Sequence, residues 1–88
     1  MFYVYILRSK IDGDLYIGYT GDLKRRFAEH NSGKNRSTKG RIPFELIYYE
    51  AYRSKVDAMR REKALKLRGQ ALSQLKRRIE SSLLDLMV

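Results

Sequence analysis

Cysteine is absent from the 88 residues, and His30 is the single histidine. Structural zinc sites take four ligands, mostly Cys and His, so zinc sites of the usual kind and disulfide frameworks are both excluded. Any metal that this chain binds must be a hard cation held by oxygen. A sequence without cysteine fits a reducing compartment, and we expect an intracellular protein.

Long apolar runs are also missing, and acidic residues are few. No stretch approaches the roughly 20 apolar residues that span a bilayer, and no charged-then-apolar leader precedes the first predicted strand, so we expect a soluble, cytoplasmic protein. Ten acidic residues face 19 lysines and arginines, which gives a formal net charge of +9 and a pI near 10.0. This excess favours nucleic acid as the partner, because phosphate contacts release condensed counterions.

The length predicts one domain over residues 1–88, because a chain of this size buries a single core. Strands are predicted at residues 2–8 and 15–20, which are rich in β-branched and aromatic residues. The Asp12-Gly13 pair between them is a strong signal for a tight hairpin. We therefore expect the domain to begin with two antiparallel strands.

This hairpin separates two chemically different faces. A two-residue turn predicts that Tyr5 lies opposite Thr20 and that Leu7 lies opposite Gly18. Because successive side chains of a strand alternate between faces, Tyr5 and Tyr16 share one face, with Gly18 between them. The other face is apolar and has five members: Phe2, Val4, Ile6, Ile17 and Tyr19.

The rest of the chain predicts a helix, a strand and two more helices. The first helix covers about residues 22–32, an exposed basic loop follows at 33–41, and a third strand covers about 44–52. Ser54 caps a second helix that runs to about Leu67. Apolar residues then recur at helical spacing, and they are Leu72, Leu75, Ile79, Leu83 and Leu86. The order ββαβαα defines an α+β domain with a small three-stranded antiparallel sheet flanked by helices.

Glu62 is the acidic residue whose position calls for an explanation. On a helical wheel it lies at the border of the apolar stripe, between Met59 on one side and Ala58 and Leu65 on the other. An ion pair with Lys66 at i+4 would account for it structurally and contribute about 0.2–0.5 kcal/mol. A role in chemistry is the alternative.

Structural roles also account for the remaining candidates taken singly. Arg26 and His30 are four residues apart on the first helix, where solvent exposure is the default. Tyr5 and Tyr16 suit a packed strand. Taken together, two phenols, a guanidinium, an imidazole and a carboxylate could supply what phosphodiester cleavage needs. Those needs are an activated water, a cation on the non-bridging oxygens and a stabilised leaving oxygen.

The order and spacing of these residues resemble the GIY-YIG nuclease superfamily. Two tyrosine-containing tripeptides about ten residues apart precede an arginine, a histidine and a late helical glutamate. In chain order these are Tyr3-Val4-Tyr5, Tyr16-Ile17-Gly18, Arg26, His30 and Glu62. Each tripeptide alone is a weak signal, whereas the ordered set at family spacing is specific. The resemblance covers approximately residues 2–80 and is strongest to small stand-alone bacterial members.

The resemblance implies a role for each residue on the phenolic side. Tyr5 would bind or deprotonate the attacking water, with Tyr16 assisting nearby. Gly18 would leave room for the phosphate, and Arg26 would neutralise its charge. His30 matches a position that assists proton transfer in some members.

The resemblance also implies a divalent cation, Mg²⁺ or Mn²⁺, with Glu62 as its protein ligand. A lone carboxylate suits Mg²⁺, which keeps several waters and takes its other oxygens from phosphate. The implied activity is metal-dependent hydrolysis of DNA in repair or recombination. Further cations would contact the DNA phosphates, and these are Lys24, Arg25, Lys34, Arg36, Lys39 and Arg41.

Two departures from the family pattern bear on the substrate. Tyr3 stands where the family name has glycine, and no counterpart is found to the C-terminal asparagine of homing endonucleases. With no appended DNA-reading domain, we expect recognition of DNA structure, such as branches or ends, and not of sequence. RNA stays open as a substrate.

Two other functions stay open. A nucleic-acid-binding accessory module would keep the fold and the basic surface with little catalysis, and a structural subunit would dock on ribosomal RNA or a partner complex. The apolar C-terminal residues Leu83, Leu84, Leu86 and Val88 would either cover the sheet or form a dimer contact. We expect them to cover the sheet of a monomer.

Overall fold

The computed structural model describes residues 1–84, and within them three strands form one antiparallel sheet in the order β2-β1-β3. The strands are β1 (Phe2–Ser9), β2 (Leu15–Thr20) and β3 (Phe44–Tyr52). The helices are α1 (Leu23–Asn31), α2 (Lys55–Lys66), α3 (Gln70–Arg78) and α4 (Glu80–Leu84). The predicted α+β architecture is confirmed. Among the described residues, no helix is both long enough and apolar enough for a membrane crossing.

The last predicted helix is divided into two. Ile79 ends α3 with φ −113° and ψ 30°, outside helical geometry. Helical spacing continues across this point because the Leu83 amide still donates to the Ile79 carbonyl at 3.0 Å. The predictions for Leu86 and Val88 lie outside the described residues.

The predicted register of the hairpin is wrong by two residues. Tyr5 lies opposite Gly18 and Leu7 opposite Tyr16, whereas the two-residue turn placed Tyr5 opposite Thr20. Because a shift of two residues preserves the alternation of side chains, the predicted faces are nevertheless correct.

A four-residue loop causes this difference. The Ser9 amide donates to the Asp14 carbonyl at 3.0 Å, and the Gly13 amide donates back to the Ser9 carbonyl at 2.9 Å. Gly13 has φ +72°, a conformation that glycine adopts at little cost. The Asp-Gly signal therefore marked a turn but not its length.

Each face of the sheet is covered by different helices. On one face, α2 and α3 pack on the apolar side of the hairpin and form the larger core, which consists of Val4, Ile6, Leu15, Ile17, Ala58, Leu65, Leu72 and Leu75. On the other face, Leu23 and Phe27 of α1 pack against a smaller buried cluster of Tyr5, Leu7 and Phe44. The phenolic face therefore holds a second, smaller core.

The segment between α1 and β3 departs from the predicted exposed loop. It contains a short 3-10 turn, Lys39–Arg41, and Thr38 before that turn is fully buried. The two ends of the segment are joined by Asn31. The Phe44 amide donates to the Asn31 side-chain oxygen at 2.6 Å, and the Asn31 side-chain nitrogen donates to the Phe44 carbonyl at 3.0 Å. These contacts tie the end of α1 to the start of β3.

Candidate active site

The Tyr5 phenol lies across the edge strand β2 at Gly18. Tyr5 pairs directly with Gly18 and is 1% exposed. A β-carbon built on Gly18 would lie 2.6 Å from the Cζ atom of Tyr5 and closer still to its hydroxyl oxygen. Glycine is therefore required for this ring position, and the Tyr5 ring itself occupies the space beside Gly18.

The Tyr5 hydroxyl is hydrogen-bonded to a buried histidine. Its oxygen lies 3.0 Å from Nε2 of His30, and Nδ1 of His30 lies 2.9 Å from Oγ1 of Thr38. We assign the tautomer of His30 from this network: Thr38 Oγ1 donates to the Asn35 carbonyl at 3.4 Å, which makes Oγ1 the acceptor for the hydrogen on Nδ1 and leaves Nε2 to accept from Tyr5. His30 and Thr38 are both 0% exposed. The chain of hydrogen bonds thus has one consistent direction, from the phenol to the loop.

Burial shifts both titratable groups of this chain toward their neutral forms. It raises the pKa of Tyr5 to about 12, with the neighbouring Tyr16 adding to the rise and Arg26 opposing it. It lowers the pKa of His30, and the positive charge of Arg26 lowers that pKa further. At neutral pH the phenol is therefore protonated and the imidazole uncharged.

Aromatic rings enclose the imidazole. The ring centroids of Tyr16 and Phe44 lie 4.8 and 6.1 Å from that of His30, both edge-to-face, and Tyr16 lies 6.4 Å from Tyr5. Each edge-to-face pair contributes about 0.5–1.5 kcal/mol beyond the area it buries. The His30 ring is therefore held by its ring contacts as well as by its two hydrogen bonds.

Arg26 gives the phenol a cationic neighbour. Its guanidinium is close enough to lower the pKa of Tyr5, and its Nε atom lies 3.3 Å from a carboxylate oxygen of Glu29. Arg25 pairs with the other oxygen of the same carboxylate at 3.2 Å. The Arg26 side chain is 40% exposed, and ion pairs at this exposure contribute little. The guanidinium can therefore exchange Glu29 for an incoming anion.

Glu62 approaches from the opposite side of the sheet. Its helix covers the apolar face, yet the charge of Glu62 contributes to the raised pKa of Tyr5, so the two groups share one electrostatic environment. The Glu62 side chain is 17% exposed, and its Oε2 atom lies 3.0 Å from Nζ of Lys66, the predicted i+4 partner. Lys66 also lines a surface depression beside Tyr16. Side chains from both faces thus converge at the edge of β2.

The predicted DNA-binding cations differ in exposure. The exposed members are Lys24, Arg25, Lys34, Arg36 and Lys39. Arg41 is half-buried, lies 2.9 Å from a carboxylate oxygen of Asp12 and stacks over the ring of Phe44. It lines the depression beside Tyr16 together with Lys66 and Arg68, two cations that are not among the predicted DNA-binding residues.

The fold and the site define a small α+β domain whose polar side chains gather around one edge strand. The model of the GIY-YIG catalytic domain matches residues 1–79, and the chain belongs to that nuclease family. The predicted family membership is confirmed.

The relatives of this chain include small bacterial proteins named UPF0213. One, from Streptococcus agalactiae serotype V, is 49% identical over 65 residues, which cover 73% of each chain. Another, from Streptococcus pneumoniae serotype 4, is 49% identical over 65 residues, 73% of this chain and 65% of that one. The solution NMR structure of the UPF0213 protein BH0048 from Bacillus halodurans has 44% identity and a TM-score of 0.48, and covers 99% of this chain and 86% of that chain.

Proposed function

We propose that this protein is a divalent-metal-dependent endonuclease that hydrolyses DNA phosphodiester bonds. It is directed by DNA structure and acts as a cytoplasmic monomer in repair or recombination. One observation carries the proposal: in a GIY-YIG chain, a buried phenol is held between a neutral imidazole and a guanidinium at the edge of the sheet.

The hydrogen-bond chain supports a proton path that ends on His30. A phenol with a pKa of about 12 is a poor base by itself at neutral pH. With its hydroxyl as the donor to Nε2 of His30, the Tyr5 oxygen keeps two lone pairs, one for the Arg26 guanidinium and one to accept from a water molecule. As that water attacks phosphorus and the bond from phosphorus to the leaving oxygen breaks, the proton of the water passes to the Tyr5 oxygen and the Tyr5 proton passes to Nε2. His30 is suited to receive it because Thr38 keeps Nδ1 protonated and Nε2 open.

Arg26 and Tyr16 act on the phosphate and the rings around it. Arg26 would exchange its Glu29 partner for a non-bridging phosphate oxygen and so neutralise charge that grows in the transition state. Tyr16 holds the imidazole edge-to-face and presents its half-buried ring beside Lys66 and Arg41, where the neighbouring phosphates would bind.

Glu62 fits the divalent cation that the family implies. Its carboxylate already attracts one cation, the Lys66 ammonium at 3.0 Å, and no group of three or more His, Asp or Glu side chains within residues 1–84 forms a closed metal site. A single carboxylate matches Mg²⁺ or Mn²⁺, which would retain waters and bind phosphate oxygens. When bound, the cation supplies Lewis-acid polarisation of the phosphate and stabilises the leaving oxygen.

The test is cleavage of supercoiled plasmid, duplex, flap and junction DNA, and RNA, each with Mg²⁺, Mn²⁺ or chelator. We expect Glu62→Gln and Arg26→Ala to abolish metal-dependent cleavage while the circular dichroism spectrum stays unchanged. Glu80→Gln and Arg77→Ala remove the same charges at exposed positions elsewhere and should cleave as the wild type does. Undiminished cleavage by both site variants would remove the proposal. Salt-sensitive binding without any product would instead identify an accessory binding module.

A further inference from the structure

An open groove of about 500 Å³ lies beside the candidate site, on the α1 side of the sheet. We call it the aromatic groove, after the rings of Tyr3, Phe27 and Tyr49 that line it with Leu46. Tyr49 is 52% exposed, and its ring meets that of Tyr3 edge-to-face at 5.9 Å between centroids. The proton path described above uses none of these side chains.

Tyr3 is the residue that departs from the family tripeptide. Because it lies two residues from Tyr5 on the same strand, both rings point to the same face of the sheet. Tyr5 is buried against Gly18, whereas Tyr3 is half-buried and contributes its ring to the groove. The tyrosine that replaces glycine therefore builds an aromatic wall next to the site.

The aromatic groove is continuous with the surface around Arg26. Gly21 and Asp22, between β2 and α1, line both the groove and a second depression that contains Arg25 and Arg26. Lys24, in the first turn of α1, supplies an exposed cation within the groove. A strand whose phosphate meets Arg26 can therefore extend its next nucleotide toward the rings.

We propose, on the basis of the proposed nuclease function, that the aromatic groove binds an unpaired nucleobase of the DNA strand held by Arg26. Aromatic side chains beside a cationic path are how proteins hold single-stranded DNA without reading its sequence. The volume lies within the range of small-molecule sites. Bases in a duplex are stacked on their neighbours, so only an unpaired nucleotide can enter. The substrate class is thus DNA with an unpaired nucleotide next to the cleaved phosphate.

The test uses binding in chelator, so that no cleavage occurs. One duplex is prepared with and without a single-stranded arm, with 2-aminopurine as the first unpaired base, since stacking on an aromatic ring changes its fluorescence. We expect Tyr49→Ala to weaken binding of the DNA with the arm by between about 5-fold and 150-fold, the range for one base stacked on an aromatic side chain. Binding of the plain duplex should stay unchanged, and Tyr49→Phe should bind as the wild type does.

Ile11→Ala is the matched control, because Ile11 is 67% exposed on the hairpin loop and does not line the aromatic groove. Tyr49→Leu keeps an apolar side chain without an aromatic face and should also lose the fluorescence change, so a packing defect in Tyr49→Ala cannot imitate the result. Equal affinity of wild type and Tyr49→Ala for the DNA with the arm would overturn the inference.

Analytical ultracentrifugation tests a different occupant, a second copy of this chain. A dimer that Tyr49→Ala abolishes would also overturn the inference. Because the binding measurement excludes metal, its outcome is separate from that of the cleavage test. A nuclease without base stacking would refute only the groove, and base stacking without cleavage would refute only the proposed activity.

Discussion

Replacement of Gly18 by alanine is a sharp test of the site geometry. The added β-carbon would lie 2.6 Å from Cζ of Tyr5, whereas ordinary contact begins at about 3.4 Å. Because the hydroxyl oxygen of Tyr5 would lie closer still, the phenol, or the edge strand beneath it, must move by at least about 0.8 Å. Tyr5 is 1% exposed and its hydroxyl lies 3.0 Å from Nε2 of His30, so a shift of that size either breaks this bond or distorts β2.

Both stability and activity should fall. Overpacking of a buried site typically costs about 1–3 kcal/mol, and each kcal/mol lowers the melting temperature of a domain of this size by about 4–8 °C. A catalytic group displaced by about 1 Å can lose about 100-fold in rate. Thermal melting and metal-dependent plasmid nicking measure the two effects.

Gly40→Ala is the matched control, because a β-carbon there has nothing within 4 Å. It should not lower the melting temperature. The clash is isolated by a double-mutant cycle: in a Tyr5→Ala background, Gly18→Ala should cost almost nothing in stability. If Gly18→Ala melts and cleaves as the wild type does, the Tyr5 ring does not lie over Gly18, and the hydrogen-bond chain described here is wrong.

Three further predictions concern the surroundings of this ring. In the folded protein the pKa of His30 lies below its ordinary value of 6.5, so as pH falls the unfolded chain takes up this proton before the folded chain does. The free energy of unfolding, measured by urea unfolding, should therefore decline as pH falls below about 6.5. His30→Gln should make that decline less steep. Thr38→Val leaves the buried Nδ1–H of His30 unpaired and should cost about 1–3 kcal/mol by the same measurement; an unchanged midpoint would argue against the assigned tautomer. Lys66→Met frees the Glu62 carboxylate and should shift half-maximal cleavage to lower Mg²⁺, with a stability change within about 0.5 kcal/mol; an unshifted Mg²⁺ dependence would count against Glu62 as the ligand.

Local pattern predicted the elements and their faces but not the details of pairing. Side chains alternate along β1 and β2, so Tyr5 and Tyr16 stay on one face in any two registers of the hairpin that differ by an even number of residues. The register itself depends on hydrogen bonds of Ser9, Gly13 and Asp14, which close a four-residue loop. The prediction assumed that Asp12 and Gly13 alone form the loop. The helical wheel likewise predicted the Glu62 pair with Lys66, because that contact lies within one helix.

The environment of His30 could not be predicted in this way. A lone histidine near a helix end is usually exposed, and the segment after it is polar and cationic, which favours a solvated loop. Its burial depends on Thr38, eight residues later, turning inward within that segment. Nothing in the spacing of Lys34, Arg36 and Lys39 marks Thr38 as the residue that turns in. Contacts across a loop follow from packing of the whole domain and not from local period.

The strand order explains why side chains from both faces approach the same edge of the sheet. Tyr5 lies on the central strand, and glycine at position 18 lets its phenol cross the edge strand β2. Helices on opposite faces carry Arg26 and Glu62, and an edge is where side chains from both faces can approach one point. A larger residue at position 18 would separate the phenol from that edge without altering either helix. For this reason the glycine, which has no chemistry of its own, sets the position of the Tyr5 phenol relative to the rest of the candidate site.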